Sequence, residues 1–310
     1  MAWAQLVRLP NVFTVIADVG AAFLLVSGGP QPAARFIGIV TSGVALYWAG
    51  MILNDVFDVE DDLQHRPKRP LAAGWIPTKQ ASVAGWSLLV LGIALASVTG
   101  YLTIGGVETT WLPAAIGLAL AAMIVAYDGP LKSTHVAPAA MGACRFLSFL
   151  LGASAALPLA ADGPLIPKYV LGAAFGFGVY IMGVTTMARH EATGGETNSL
   201  KIGIVIAALG AVCLAFAPQL AEGPMGWHLP TARVFPVLIG MIVFPVIMRA
   251  IRTVKDPSPG NIQMAIRVGV LTVRPLAASF ALLGAGPVWG LAIVALFLPS
   301  IFLAVRFRVT

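Results

Sequence analysis

Five carboxylates crowd the stretch Asn54-Asp55-Val56-Phe57-Asp58-Val59-Glu60-Asp61-Asp62, directly after a hydrophobic run. Asn54, Asp58 and Asp62 follow an i, i+4, i+8 spacing, and Asp55 comes one residue after Asn54. A helix that continues through them gathers these groups on one face. Like charges packed in that way repel, so a cation is needed among them. The chain supplies Arg66, Lys68 and Arg69 within Arg66-Pro67-Lys68-Arg69-Pro70-Leu71. Oxygen donors suit a hard divalent cation, and basic groups beside them suit phosphate. The pattern suits a Mg²⁺-bound diphosphate. The plain alternative is a solvated acidic loop that ends a helix.

The scaffold that must position these groups is a membrane bundle. Hydrophobic residues make up 58% of the 310 and charged residues 10%, and mean hydropathy is +0.89. Soluble domains carry roughly 25% charged residues. Apolar runs long enough to cross a bilayer recur near 11–28, 36–53, 81–100, 110–127, 138–157, 167–187, 200–218, 231–251, 265–284 and 288–305. Arg274 and Pro275 interrupt the ninth, so the count is nine or ten. With a cytoplasmic N-terminus and ten spans, nearly all lysines and arginines outside the spans fall on the inner side. Only Arg35, Lys168 and Arg233 fall outside. This bias orients the chain and favours an even number of spans. The net charge of +6 then reflects topology and anionic lipid, and gives no reason to invoke nucleic acid.

The fold class expected is therefore all-α, a polytopic bundle forming one domain over 1–310. No cleavable signal peptide is evident. Inner loops at 54–80, 128–137, 188–201 and 252–267 are polar, whereas outer loops are short or bland, which points to function on one face. The loops 54–80 and 188–201 stand four spans apart, as in a weak internal duplication. Cys144 and Cys213 both fall within spans and read as buried structural cysteines. Glycines 172, 176 and 178 permit close helix approach. Asp18 and Arg145 would be costly in lipid and should face the interior, while Arg274 is expected to snorkel towards an interface. Trp48, Phe146, Phe149, Phe175, Phe177 and Tyr180 are candidates to line a tunnel, or ordinary packing.

Asn54-Asp55-x-x-Asp58-x-x-x-Asp62 followed by Arg66-Pro67-x-Arg69-Pro70-Leu71-x-x-Gly74 resembles the first aspartate-rich motif of the UbiA superfamily of intramembrane prenyltransferases. Other elements fit in order and spacing. Arg8-Leu9-Pro10-Asn11 resembles the family's N-terminal segment, which implies that Asn11 lies near the acceptor. Tyr127 and Lys132, in Tyr127-Asp128-Gly129-Pro130-Leu131-Lys132, resemble its diphosphate-binding Tyr-x-x-x-x-Lys element. Arg145 matches a family arginine, with Ser148 where an asparagine is frequent. The segment from Gly260 to Arg267 looks most like the EboC-like branch.

The resemblance implies a Mg²⁺-dependent transfer from a prenyl diphosphate to an unidentified acceptor in the membrane, with the active-site loops on the cytoplasmic side of the inner membrane. Asp58 and Asp62, with Asn54, Asp55 and Glu191, would hold the metal, and Lys132, Arg66, Arg69 and Tyr127 the diphosphate, with the acceptor near Asn11 and Arg145. One departure stands out: where the family has a second aspartate-rich motif, this chain reads Met187-Ala188-Arg189-His190-Glu191-Ala192-Thr193-Gly194-Gly195-Glu196, without aspartate. Glu191 can supply one metal ligand, and Arg189 or His190 can bind phosphate directly. That departure keeps a rival open: a non-catalytic protein that binds or moves an isoprenoid or other lipid-like molecule on the same scaffold. A transporter coupled through Asp18 and Arg145 is a third reading, although the paired broken helices it needs are not visible in the sequence.

Overall fold

The computed structural model describes residues 1–103, 108–157, 164–188 and 197–307. Among these the protein is helical, without strands. A short α1 (Ala2–Leu6) and a 3₁₀ turn (Leu9–Asn11) lead into α2 (Val12–Ser27). Then come α3 (Ala33–Phe57), the short α4 (Val59–His65), α5 (Thr78–Tyr101) and α6 (Leu112–Ala126). The chain continues through α7 (Ala137–Ser154), α8 (Lys168–Ala188), α9 (Thr197–Phe216) and α10 (Val234–Lys255). It closes with α11 (Pro259–Leu271), α12 (Val273–Ala285), α13 (Pro287–Ala295) and α14 (Phe297–Phe307).

Ten helical segments among the described residues are long and apolar enough to cross a membrane, α11–α12 and α13–α14 each counting as one. The protein is thus an integral, multi-pass membrane protein with ten spans. The ninth span breaks at Thr272, just before Arg274, and the tenth at Leu296, yet both junctions keep right-handed helical angles. They are kinks and not the unwound half-helices of a transporter site.

Burial grades the helices by position. The first span is 72% buried and the last 17%, so α2 is central and α13–α14 peripheral. Exposed apolar side chains such as Val90, Phe244, Leu291 and Phe302 face where acyl chains take the place of water.

Small residues let the central helices meet. A Cβ on Gly152 of α7 would collide with the Val19 carbonyl of α2, and one on Gly176 of α8 would lie 2.8 Å from the Leu214 nitrogen of α9. Contacts this close are how helices gain dispersion energy in a medium that offers no hydrophobic driving force. The α2–α7 approach also sets the register that places Arg145 and Ser148 beside Asp18.

Several expectations inside the bundle are corrected. Arg274 does not snorkel: it is 1% exposed, donates to Ser300 Oγ at 2.7 Å and the Pro10 carbonyl at 3.4 Å, and lies 4.7 Å from the Phe297 ring centroid. Arg35 is no outer-loop cation, because α3 starts earlier than its apolar run and buries it completely. The candidate tunnel aromatics are packing or lipid-facing. Phe149 and Phe177 stack at 5.0 Å, with Phe280 against both. Phe146 packs against the same core. Tyr180 is buried and donates to the Gly269 carbonyl at 3.0 Å, and Phe175 is exposed. Trp48 is half-buried away from the cleft described below.

Candidate active site

The acidic stretch is nearly one helix. The Asp58 amide donates to the Asn54 carbonyl at 3.1 Å and that of Asp62 to Asp58 at 2.8 Å, so the four-residue spacing survives the α3–α4 junction. Glu60, Asp61 and Asp62 fall in the first turn of α4, where the positive end of the helix dipole favours carboxylates. Asn54, Asp55 and Asp62 are buried. Arg69 crosses the face they form: one guanidinium nitrogen lies 2.8 Å from Asp62, 3.3 Å from Asp55 and 3.8 Å from Asp58. Arg8 adds a second guanidinium 3.5 Å from Asp55.

The Arg-Pro-x-Arg-Pro-Leu segment holds Arg69 in place. After α4 the chain turns back, with the Ala73 amide donating to the Arg69 carbonyl at 2.8 Å and that of Trp75 to Pro70 at 3.0 Å. Gly74 takes a left-handed φ of 72°, at which a side chain is disfavoured. Leu71 and Ile76 are buried against Leu6, Ile52 and Ala81, so α1, α3 and α5 clamp the loop. Arg66 stays exposed and reaches none of the carboxylates; Lys68 is exposed as well.

Across the mouth lies the Tyr127–Leu131 turn. It closes α6 with a π-type turn in which Gly129 leaves helical geometry (φ −90°, ψ −105°) and Pro130 offers no amide hydrogen. Lys132 follows, ion-paired to Asp58 and donating to Asn54 Oδ1 at 2.8 Å. Asp128 is 5% exposed. It lines the polar mouth with Asp58, Lys132 and Ser133, and also an apolar cleft of about 150 Å³ among α2, α3, α6, α7 and α8. Leu46, Leu120, Ile124, Met141 and Ile181 wall the cleft, with Tyr127, Arg145 and Ser148 on its polar fringe. Beneath that fringe Asp18, fully buried, pairs with Arg145 and accepts from Ser148 Oγ at 3.3 Å.

Cys144 lines the cleft as a half-buried free thiol, and Cys213 is likewise half-buried and free. Asn11 does not line the cleft. It ends the 3₁₀ turn before α2, and its carbonyl accepts from Thr14 at 2.6 Å. Arg189, His190, Glu191 and Glu196 lie outside the described residues. The sequence reading also missed two residues. Asp128 stood inside a motif read only for its tyrosine and lysine. Arg8 enters the sequence reading only through the segment that carries Asn11, although a lone arginine ahead of a buried first span is the available signal.

The donor chemistry fits Mg²⁺. Asn54, Asp55, Asp58 and Asp62 offer only oxygen, and Asp62 Oδ1 is buried without a hydrogen-bond partner, a ligand position left open. As placed, though, no three His, Cys, Asp or Glu side chains converge on one metal-sized point among the described residues. Arg69 and Lys132 bridge the carboxylates instead.

A charged mouth and an apolar cleft that share Asp128 inside a helical bundle are chemistry suited to an amphiphile with an anionic head and an apolar tail. Residues 13–266 match the UbiA prenyltransferase family, and the chain belongs to that family. The match bears on the family and not on one of its branches. The digeranylgeranylglyceryl phosphate synthase of Methanoregula boonei is 31% identical over 199 residues, 58% of this chain and 63% of that protein. The enzyme of the same name from Saccharolobus solfataricus is 32% identical over 99 residues, 30% of this chain and 33% of that one. The matched region thus spans between a third and less than two thirds of these relatives' length. In fold, the chain is similar to a UbiA homologue from Archaeoglobus fulgidus bound to GPP and Mg²⁺, with a TM-score of 0.63 and 13% identity over 95% of this chain and 100% of that one.

Proposed function

We propose that the whole chain, 1–310, works as one domain that transfers a prenyl group from a prenyl diphosphate to an acceptor within the membrane, with Mg²⁺ as cofactor. It would lie in the cell's inner membrane with the mouth on the cytoplasmic side, as the distribution of basic residues favours. The observation that carries the reading is that Asp128 lines both the apolar cleft and the polar mouth of Asp58 and Lys132, about which Asn54, Asp55, Asp62 and Arg69 gather. A diphosphate held at the first leaves its prenyl chain in the second.

In this reading Asp58 and Asp62, with Asn54 and Asp55, would hold the metal. Bound there, Mg²⁺ supplies positive charge that neutralises the departing diphosphate. Lys132 and Arg69 exchange their carboxylate partners for diphosphate oxygens, and Arg8 adds charge from the N-terminal side. Such donors act most strongly on charge that develops as the allylic C–O bond breaks. The cleft keeps water from the carbocation. Arg145, held by Asp18, faces the acceptor. The names of the matched relatives point to a glyceryl phosphate lipid with a free hydroxyl as the acceptor class.

The test is diphosphate release by the purified protein in lipid, with geranyl diphosphate, with and without Mg²⁺. Release that depends on Mg²⁺ and is lost in Asp58→Ala is expected. Tight binding without release, even with acceptor lipid present, would replace this reading with the binding or transport alternative.

A further inference from the structure

We infer that Asp128 is the base that takes the acceptor's proton, an inference that rests on the prenyl-transfer reading. An alcohol that attacks an allylic carbocation becomes an oxonium. In a cleft that excludes water, that proton needs a fixed acceptor near the reacting carbon. The base must stand where the polar mouth meets the apolar cleft, and it must not already be neutralised by a cation.

Asp128 meets both conditions. It lines both spaces, beside Asp58 and Lys132 on one side and Tyr127, Arg145 and Ser148 on the other. The neighbouring carboxylates are engaged: Asp58 with Lys132, Asp55 and Asp62 with Arg69, and Asp18 with Arg145. The charges nearest Asp128 are Lys132, Asp58, Arg8 and Asp55, and among the described residues none makes an ion pair or hydrogen bond with it. A nearly buried carboxylate without such a partner is costly as a structural element. The break at Gly129 and Pro130 turns the chain directly after it, so its place at the junction is set by backbone and not by a salt bridge.

The step balances. The diphosphate leaves with both electrons of its C–O bond, and the acceptor oxygen forms the new C–O bond with a lone pair. The O–H electrons stay on that oxygen while the proton moves to an Asp128 carboxylate oxygen. The carboxyl then returns the proton to water through the mouth beside Ser133.

The experiment compares wild type, Asp128→Asn and Asp128→Glu in lipid nanodiscs with geranyl diphosphate and Mg²⁺. Two nucleophiles compete: geranylgeranylglyceryl phosphate, which carries a hydroxyl proton, and azide, which carries none. Asp128→Asn is expected to raise the ratio of prenyl azide to prenyl ether about 100-fold, the scale of a lost general base. The KM for geranyl diphosphate should change less than about threefold, and formate should restore ether formation in Asp128→Ala. Asp128→Glu retains part of the ether activity, which separates lost chemistry from lost folding. An unchanged ratio overturns the proposal and leaves the departing diphosphate as proton acceptor. Equal loss of ether and azide, with weaker Mg²⁺-dependent donor binding, overturns it in favour of a metal-holding role. Wild type that forms azide but no ether removes the hydroxyl acceptor on which the proposal depends. Wild type that forms neither product defeats the prenyl-transfer reading itself.

Discussion

The two ends of α3 hold their cations in different ways. Arg35, fully buried at the start of α3, donates to backbone carbonyls: Leu102 at 2.8 Å, Glu108 at 2.7 Å, Gly100 at 3.3 Å and Ala155 at 3.4 Å. Arg69 and Lys132, at the far end of α3, face carboxylates and an amide oxygen, all on side chains. Carbonyls of the main chain cannot be exchanged without unfolding the loops that carry them. Side-chain carboxylates can give up a cation to a ligand, at the cost of a paired charge. Buried charge alone therefore does not mark a site in this protein. The kind of partner does, and only the Arg69–Lys132 end is built for exchange.

The largest effect that could break this contrast is Asp58→Ala. It should lower prenyl transfer about 10³-fold, while the melting temperature in detergent stays within a few degrees, since one of several crowded carboxylates is removed. Asp62→Ala should do the same to turnover. Retained turnover in both would remove the exchangeable end from the chemistry. Next comes Arg35→Ala, expected to cost about 3 kcal/mol of stability by stranding buried carbonyls. Turnover per folded molecule should hold, and a selective loss of donor affinity would erase the distinction between the ends. Ser148→Ala, which removes one hydrogen bond from Asp18, should cost about 1 kcal/mol, read as a small drop in melting temperature. Smallest is Arg66→Ala. The exposed side chain should change kcat/KM for geranyl diphosphate by less than about twofold, and a tenfold loss would show that Arg66 swings into the mouth when the donor binds.

Much of this arrangement was legible in the sequence. Nine or ten spans follow from hydropathy, the even count from the charge bias, and the acidic face from a four-residue spacing that the helix keeps past the last apolar residue. Pairing of the acidic face with Arg69 followed from charge, since three close carboxylates require a cation. What stayed hidden depends on helix neighbours distant in sequence. Nothing near Arg35 announces that loops after α5 and α7 will fold onto it. Nothing near Arg274 announces a serine at 300 or the carbonyl of Pro10. The aromatics of α7 and α8 face one another across Phe280, a residue of α12, and so belong to the core and not to a tunnel. Asp128 was hidden differently. It stands inside a motif whose tyrosine and lysine carry the resemblance, and only the packing of α6 against α3 and α7 shows that it borders both spaces.

The carbonyl of Pro10 accepts from Ser300 at 2.8 Å as well as from Arg274, and Gln5 donates to the Phe307 carbonyl at 3.3 Å. Residues 1–11 are synthesised before the groups that hold them, on Arg274, Ser300 and Phe307. Arg8, in its left-handed conformation at φ 46° against Asp55, therefore gains these supports only once the ninth and tenth spans have been made. Until then the acidic cluster is already made, but the turn that brings its second arginine is not yet anchored. A chain stopped before the tenth span would carry every carboxylate of the mouth and lack the hold that completes it.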